Sequence, residues 1–289
     1  MPIFGIDVSH WQKNVNMEKV AAHGAKFVMV KAGELYMGRD YRDAYYVQNI
    51  TNARAAGLIT GAYYFFRPSS PLTAQRRMFR EMWELAPADL PPIIDVEAAD
   101  AMTPGQIKNA FEHFYKDVAN TWGRKPIVYS RDNLVGAWKL QDYVTDPLYY
   151  WKALYSNKFE GRPAKFWQFS DKYRIPGIDK DIDGNYFRGT MEELQSLVVT
   201  DTQLPPTPPE PEEPPVLIGK VRVLVSQLWA RSFPELSPFT QRCIVRKGEE
   251  YEIAGKPVPD PDSGITWIPI KVPEQILYVS GGSTYTQKI

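Results

Sequence analysis

The chain has 289 residues, 44 % of them apolar and 13 % aromatic, which is enough for packed cores and inconsistent with global disorder. Thirty-four Lys and Arg balance thirty-four Asp and Glu, so no basic excess marks a partner of nucleic-acid phosphates. No run of about 18 apolar residues is available to cross a membrane. A single cysteine, Cys243, and three histidines exclude a disulfide framework and a cysteine-based zinc centre. Chemistry therefore falls to carboxylates and aromatics, with no metal or cofactor expected.

Strands are expected at Ile3–Val8, Phe27–Lys31, Thr60–Phe66, Pro92–Glu97, Pro126–Tyr129, Leu148–Trp151 and Lys165–Phe169, where short apolar runs stand. Apolar residues at three-to-four spacing predict helices over Tyr45–Ala56, Ala74–Leu85 and Pro104–Trp122, the last with Thr103 as N-cap and Pro104 in its first turn. This strand–helix alternation predicts a parallel α/β sheet, open or closed. After residue 145 the helices shorten and aromatics crowd, which fits a barrel that has lost helices from its second half. Between Pro205 and Pro215, seven of eleven residues are proline, a composition that favours an extended tether. It separates residues 1–201 (25 basic, 24 acidic) from 216–289 (9 basic, 7 acidic), with 202–215 as linker. The shorter part carries β-rich runs at Val221–Val225, Cys243–Arg246, Tyr251–Ala254, Thr266–Ile270 and Leu277–Ser280, and reads as a small all-β barrel.

Ile93-Ile94-Asp95-Val96-Glu97 places two carboxylates at i and i+2, hence on one side of a strand. On an edge strand they would be two solvated acids. At the mouth of a barrel they would crowd each other, raise one pKa and supply a general acid. Gly5-Ile6-Asp7-Val8-Ser9 has the same form, although Asp7 or Ser9 could equally cap a turn. Asp179-Lys180-Asp181-Ile182-Asp183-Gly184-Asn185-Tyr186-Phe187 reads alone as a polar turn and lacks the spacing and closing Glu of an EF-hand calcium loop. Thirty-one of the thirty-eight aromatics precede the tether, several at strand ends, where flat faces suit sugar rings. His10 has no nucleophile signature beside it and reads as structural.

Together, Gly5-Ile6-Asp7-Val8-Ser9-His10-Trp11-Gln12, Phe27-Val28-Met29-Val30-Lys31-Ala32, Ala55-Ala56-Gly57-Leu58-Ile59-Thr60-Gly61-Ala62-Tyr63, Ile94-Asp95-Val96-Glu97, Trp167-Gln168 and Asp183-Gly184-Asn185-Tyr186-Phe187 resemble the glycoside hydrolase family 25 lysozymes, the N-acetylmuramidases frequent among bacteriophage endolysins. The resemblance runs from Gly5 to about Leu197. It implies an irregular TIM-like barrel of five strand–helix units followed by strands largely without helices. It also implies Glu97 as general acid, Asp95 as its partner, and Asp7 and Asp183 as flanking acids. Lys31, Glu34, Tyr63, Tyr129, Trp151, Tyr155 and Gln168 would line the sugar site, and peptidoglycan would be the substrate. The sequence departs from the family at Gly33, where Thr is usual, at Leu35, where Gly is usual, and at Tyr64, where His is common. Residues 216–289 resemble bacterial SH3-like wall-binding modules, more loosely, through Val221-Arg222-Val223, Trp229-Ala230-Arg231-Ser232, Val245-Arg246-Lys247-Gly248-Glu249-Glu250-Tyr251 and Thr266-Trp267-Ile268. The N-terminus lacks the basic start and apolar stretch of a signal peptide, so the expectation is a phage endolysin made in the host cytoplasm and acting on the wall after release. A bacterial autolysin, a chitin-type hydrolase and a non-cutting glycan-binding barrel are the alternatives, and the oligomeric state stays open.

Overall fold

The computed structural model describes residues 2–198, 217–231, 241–259, 264–272 and 275–289. The chain divides into two compact units, Met1–Pro206 and Thr207–Ile289, with the division inside the proline-rich segment. That segment, expected to be an extended tether, lies outside the described residues.

The first unit runs β1 (Ile3–Val8), α1 (Met17–Ala22), β2 (Phe27–Tyr36), β3 (Arg39–Arg42), α2 (Tyr46–Ala55), β4 (Ile59–Phe65), α3 (Leu72–Leu85), β5 (Ile93–Asp95), α4 (Pro104–Trp122), β6 (Ile127–Ser130), α5 (Asp132–Ala137), β7 (Tyr150–Ala153), β8 (Phe166–Tyr173), β9 (Ile182–Phe187) and α6 (Met191–Gln195). The sheet order is β1-β9-β8-β7-β6-β5-β4-β2-β3, and β1 also pairs with β2. Eight strands thus close a ring, with β3 hanging off β2 as a hairpin. Five strand–helix units come first, and β7 to β9 follow with no α-helix between them. The ring differs from a regular (β/α) barrel because β9 runs antiparallel to both of its neighbours, β8 and β1.

Parity along the strands decides what fills the barrel. On β2, Val28 and Val30 face outward against the helices, whereas Phe27 and Met29 face inward. Ile94, Val128 and Tyr150 belong to the outer layer, and Ile93, Ile127 and Trp151 to the inner. The floor is a ring cluster: Phe166 lies 5.7 Å from Phe27 and 4.8 Å from Phe187. Gly5 makes room for it, since a Cβ there would stand 2.5 Å from the Phe27 ring. The interior is therefore packed, and the strand ends above this floor carry the polar side chains.

α4 shows why the outer layer forms where it does. Thr103 and Gln106 cap its start reciprocally, Gly123 ends it in a left-handed conformation, and Ile107, Phe111, Phe114, Val118 and Trp122 are buried along one face. Between β7 and β8 a lysine does the work of a helix. Lys152, 1 % exposed, reaches Asp132 at 2.9 Å and the Arg162 carbonyl at 3.0 Å, and also bonds the Glu160 carbonyl.

Among the described residues the second unit is all β, with strands β10 (Leu217–Val223), β11 (Gln227–Arg231), β12 (Gln241–Arg246), β13 (Glu250–Ala254), β14 (Val258–Pro259), β15 (Thr266–Val272), β16 (Gln275–Ser280) and β17 (Thr286–Lys288). Its pairs are antiparallel, in the order β12-β11-β16-β15-β13-β10-β17, with β14 on β15. Val221, Val223, Ala230, Val245, Ile253, Ile270, Leu277 and Val279 form its own core.

Candidate active site

The inward parity that places Phe27 and Met29 in the core continues to Lys31 at the upper end of β2. The same parity turns Asp7, Tyr63, Asp95, Tyr129, Trp151 and Gln168 into one cleft at the mouth formed by the C-terminal ends of β1, β4, β5 and β6, the face where barrel enzymes work. Because β9 is antiparallel, its N-terminal end arrives at that face and contributes Asp183, paired directly across from Asp7. Glu97 stands two residues past Asp95, just beyond β5, whose extended course continues through a Val96 N–H bond to the Tyr129 carbonyl of 3.0 Å. These side chains, with Tyr155 from the loop after β7, line one cleft with about 830 Å³ of empty space.

Ten of the eleven residues expected in the site therefore share this cleft. Glu34 does not: β2 bulges between Lys31 and Gly33, and Glu34 turns into a neighbouring groove. There it bonds Lys31 at 2.8 Å and Arg67 at 2.7 Å. Burial pushes Glu34 up, but the hydrogen bonds and charges of Lys31 and Arg67 outweigh it and hold its carboxyl below the ordinary value. The Asp-rich segment that reads as a polar turn contains β9 itself. Ile182, Gly184 and Tyr186 take one face and Asp183, Asn185 and Phe187 the other. Ser9, Trp11, Gln12, Phe65 and Arg131 also line the cleft and were not singled out as site residues from sequence. The signal for Arg131 was available, since it directly follows the β6 strand end. Tyr64, at a position where the resembled family favours His, faces the outer core between Phe79 and Phe114 and lies outside the cleft.

The carboxylates differ in how they are held. Gln168 Nε2 donates to Asp7 Oδ2 at 2.9 Å, and Asn185 Nδ2 donates to the same oxygen at 2.7 Å. Both amides are themselves fixed. Tyr129 and Tyr155 hydroxyls donate to Gln168 Oε1 at 2.8 and 3.0 Å, and Trp151 Nε1 donates to Asn185 Oδ1 at 2.8 Å. Burial, and then the charge of Asp183, lifts Asp7 well above the ordinary carboxylate range against the pull of those two amides. Burial likewise pushes Asp183 up to about 6.

Asp95 is buried, and Oδ1 has no hydrogen-bond partner among the described residues. Burial, then the nearby Glu97, raises it well above the usual range, with Lys31 opposing. Glu97 is raised by burial and drawn back by Arg131, Lys31 and Arg67. Asp95 and Glu97 therefore hold at least one proton between them at mildly acidic pH, as a proton-donating site requires. Tyr63 and Tyr129 are raised by burial too, so their hydroxyls stay protonated. His10 stands outside the cleft, with Nδ1 3.2 Å from Asp43. No three His, Cys, Asp or Glu side chains are grouped as a metal site would need among the described residues.

Residues 6–178 match the family described as "Glycosyl hydrolases family 25". The chain belongs to this family. Among curated relatives, the "Uncharacterized protein YegX" of Escherichia coli (strain K12) is 33 % identical over 206 residues, covering 68 % of this chain and 73 % of that protein. "Lysozyme M1" of Streptomyces globisporus is 32 % identical over 210 residues, covering 67 % and 70 %. The crystal structure of the bacterial lysozyme from Streptomyces coelicolor superimposes with a TM-score of 0.59 at 26 % identity, covering 68 % of this chain and 97 % of that one. This family 25 member is accordingly a glycoside hydrolase, and the first unit carries the fold of the family.

Proposed function

We propose that the first unit is an N-acetylmuramidase that cuts the β-1,4 bond between N-acetylmuramic acid and N-acetylglucosamine of peptidoglycan. The observation that carries this reading is the Asp95–Glu97 pair, two carboxyls raised by burial side by side at the wall of an aromatic-lined cleft. Glu97, at the more open position beside Arg131, donates its proton to the glycosidic oxygen as the bond to the anomeric carbon breaks. The electron pair leaves with that oxygen, and positive charge develops on the anomeric carbon and ring oxygen. Asp95, with its free Oδ1, holds the 2-acetamido group or offsets that charge. Water then attacks, and the Glu97 carboxylate takes its proton, restoring the enzyme. The Asp7–Asp183 pair and the amides behind it form the opposite wall. Whether the acetamide closes on the anomeric carbon first decides the stereochemical course. Mass spectrometry of digested walls tests the reading: new reducing-end N-acetylmuramic acid is the expected product. Reducing-end N-acetylglucosamine or cut stem peptides would overturn it.

The second unit fits an SH3-like module that holds the enzyme on the wall. Its support is an independent all-β core joined through a proline-rich segment, with Trp229 and Ile244 paired across β11 and β12 and both exposed. The narrower role of a phage endolysin, acting on the host wall after cytoplasmic synthesis, joins a cutting unit to a holding one in the same way. Expression in a Gram-positive host with and without a membrane-permeabilising partner tests it: lysis that waits for that partner is the expected result.

A further inference from the structure

A second groove runs beside the catalytic cleft, between the segment after β1 and the β2–β3 hairpin. Trp11 and Lys31 line both, so the groove opens directly from the cleft. We infer that this groove is a distal glycan subsite, which seats an N-acetylhexosamine beyond the pair of sugars being cut, on Trp11 and Tyr41. The inference rests on the muramidase reading above and adds to it a stretch of substrate that the catalytic residues do not touch.

Three features fit a saccharide. The first is open aromatic surface: Trp11 is 68 % exposed and Tyr41 47 % exposed, large values for side chains of this kind. The second is that Trp11 is buttressed. The His10 ring lies against it at 4.8 Å and 34°, and His10 is itself held by Asp43, through its N–H at 2.7 Å and Nδ1 at 3.2 Å. An indole fixed from behind offers one face for stacking without much ordering cost. The third is charge. Lys31 pairs with Glu34 at 2.8 Å, and Arg42 pairs with Asp40 and Glu81, so the groove offers polar edges for hydroxyl and acetamide groups without a strong field. Lys13 stands at the rim, and a stem-peptide carboxylate is therefore the competing occupant.

The hairpin that forms the far wall depends on Gly33. A Cβ at this position would sit 2.6 Å from the Tyr41 carbonyl oxygen. Glycine lets β3 close onto β2 in the register Gly33–Arg42 and Glu34–Tyr41, which sets Tyr41 on the groove. The departure at Gly33 from the usual Thr of the resembled family thus has a local structural reason.

The test is a chain-length series. Peptide-free glycan tetrasaccharide, hexasaccharide and octasaccharide strands, and the same strands bearing stem peptides, are given to the full chain and to Trp11→Ala, Tyr41→Ala and Tyr41→Phe. The quantity read is the ratio of kcat/KM for the octasaccharide to that for the tetrasaccharide. In the unaltered protein the ratio exceeds unity, and Trp11→Ala and Tyr41→Ala each reduce it by up to about tenfold, the worth of one good aromatic stack. Tyr41→Phe, which keeps the ring, retains it. A ratio unchanged by both alanine variants, or a flat length profile in the unaltered protein, overturns the subsite. So does a loss seen only with peptide-bearing strands, which would give the groove to the peptide. A protein that cuts no glycan of any length would instead overturn the muramidase reading.

Discussion

Asp7 and Asp183 stand opposite each other on β1 and β9, and burial raises both carboxyls, so the pair couples stability to pH. A carboxyl raised in the folded state favours folding when protonated. The contribution of Asp183 is therefore complete below about 3.8 and is lost as pH climbs through about 6. Asp183→Asn cannot ionise, so its melting temperature relative to the unaltered protein should rise between pH 4 and pH 8 by a few degrees, on the order of 1–2 kcal/mol after solvent screening. Calorimetry at the two pH values checks this, and a constant difference would contradict it. Catalysis should be hit harder elsewhere. Glu97→Gln keeps shape and hydrogen bonding but has no proton to transfer, so turnover should fall about 10²–10⁴-fold while glycan binding survives. Asp95→Asn should also be severe. The rate profile should be a bell on the acid side of neutral, because its limbs report a carboxyl pair held high by burial. Wall clearing by Glu97→Gln at an undiminished rate, or one rise centred near neutral pH, would remove Glu97 from the role of acid.

At the scale of elements, the second half of the barrel is held by polar anchors where the first half has helices. Lys152→Met would leave Asp132 and the Glu160 and Arg162 carbonyls without their shared donor, and unfolding free energy should drop by about 3 kcal/mol. Denaturant titration measures this; a loss below about 1 kcal/mol would mean that the loop is held without the Lys152 bonds. Because Tyr155 belongs to this loop and donates to Gln168, kcat should fall as well. What could be read beforehand follows the same divide. β1, α4 and the runs around Asp95 were legible because apolar spacing and caps both mark them: Ile3–Val8 and Pro104–Trp122 lie where expected. β3, all exposed, and β9, rich in Asp, Gly and Asn, carry too little apolar signal to stand out as strands. Asp183 could be placed in the site only by resemblance, since its position depends on β9 reversing direction. Trp11 sits past the end of β1, where a parity argument stops and loop geometry decides.

At the scale of the whole molecule, a wall is a dense, repeating surface. A weak holding site on a second unit raises the local concentration of the cutting unit without touching its chemistry. Residues 217–289 have their own core among the described residues, so this part should fold alone. Trp267 is buried, which leaves Trp229 as the open tryptophan of the unit, 40 % exposed, with Ile244 at 36 % directly across the strand pair. The pair forms a small apolar face, and nine basic against seven acidic residues from 216 onward give too little charge for attraction to an anionic wall to dominate. Residues 216–289 fused to a fluorescent reporter should therefore sediment with purified Gram-positive walls and keep most of that binding as salt rises from low to physiological strength. Trp229→Ala should weaken retention by roughly five- to tenfold, a loss of about 1 kcal/mol, while the unit stays folded. The same substitution in the full chain should slow lysis of intact walls and leave cleavage of short soluble glycans unaffected, because the cleft residues all belong to the first unit. No binding to any wall, together with full lytic activity of residues 1–201 alone, would reduce the second unit to a spacer or an assembly contact.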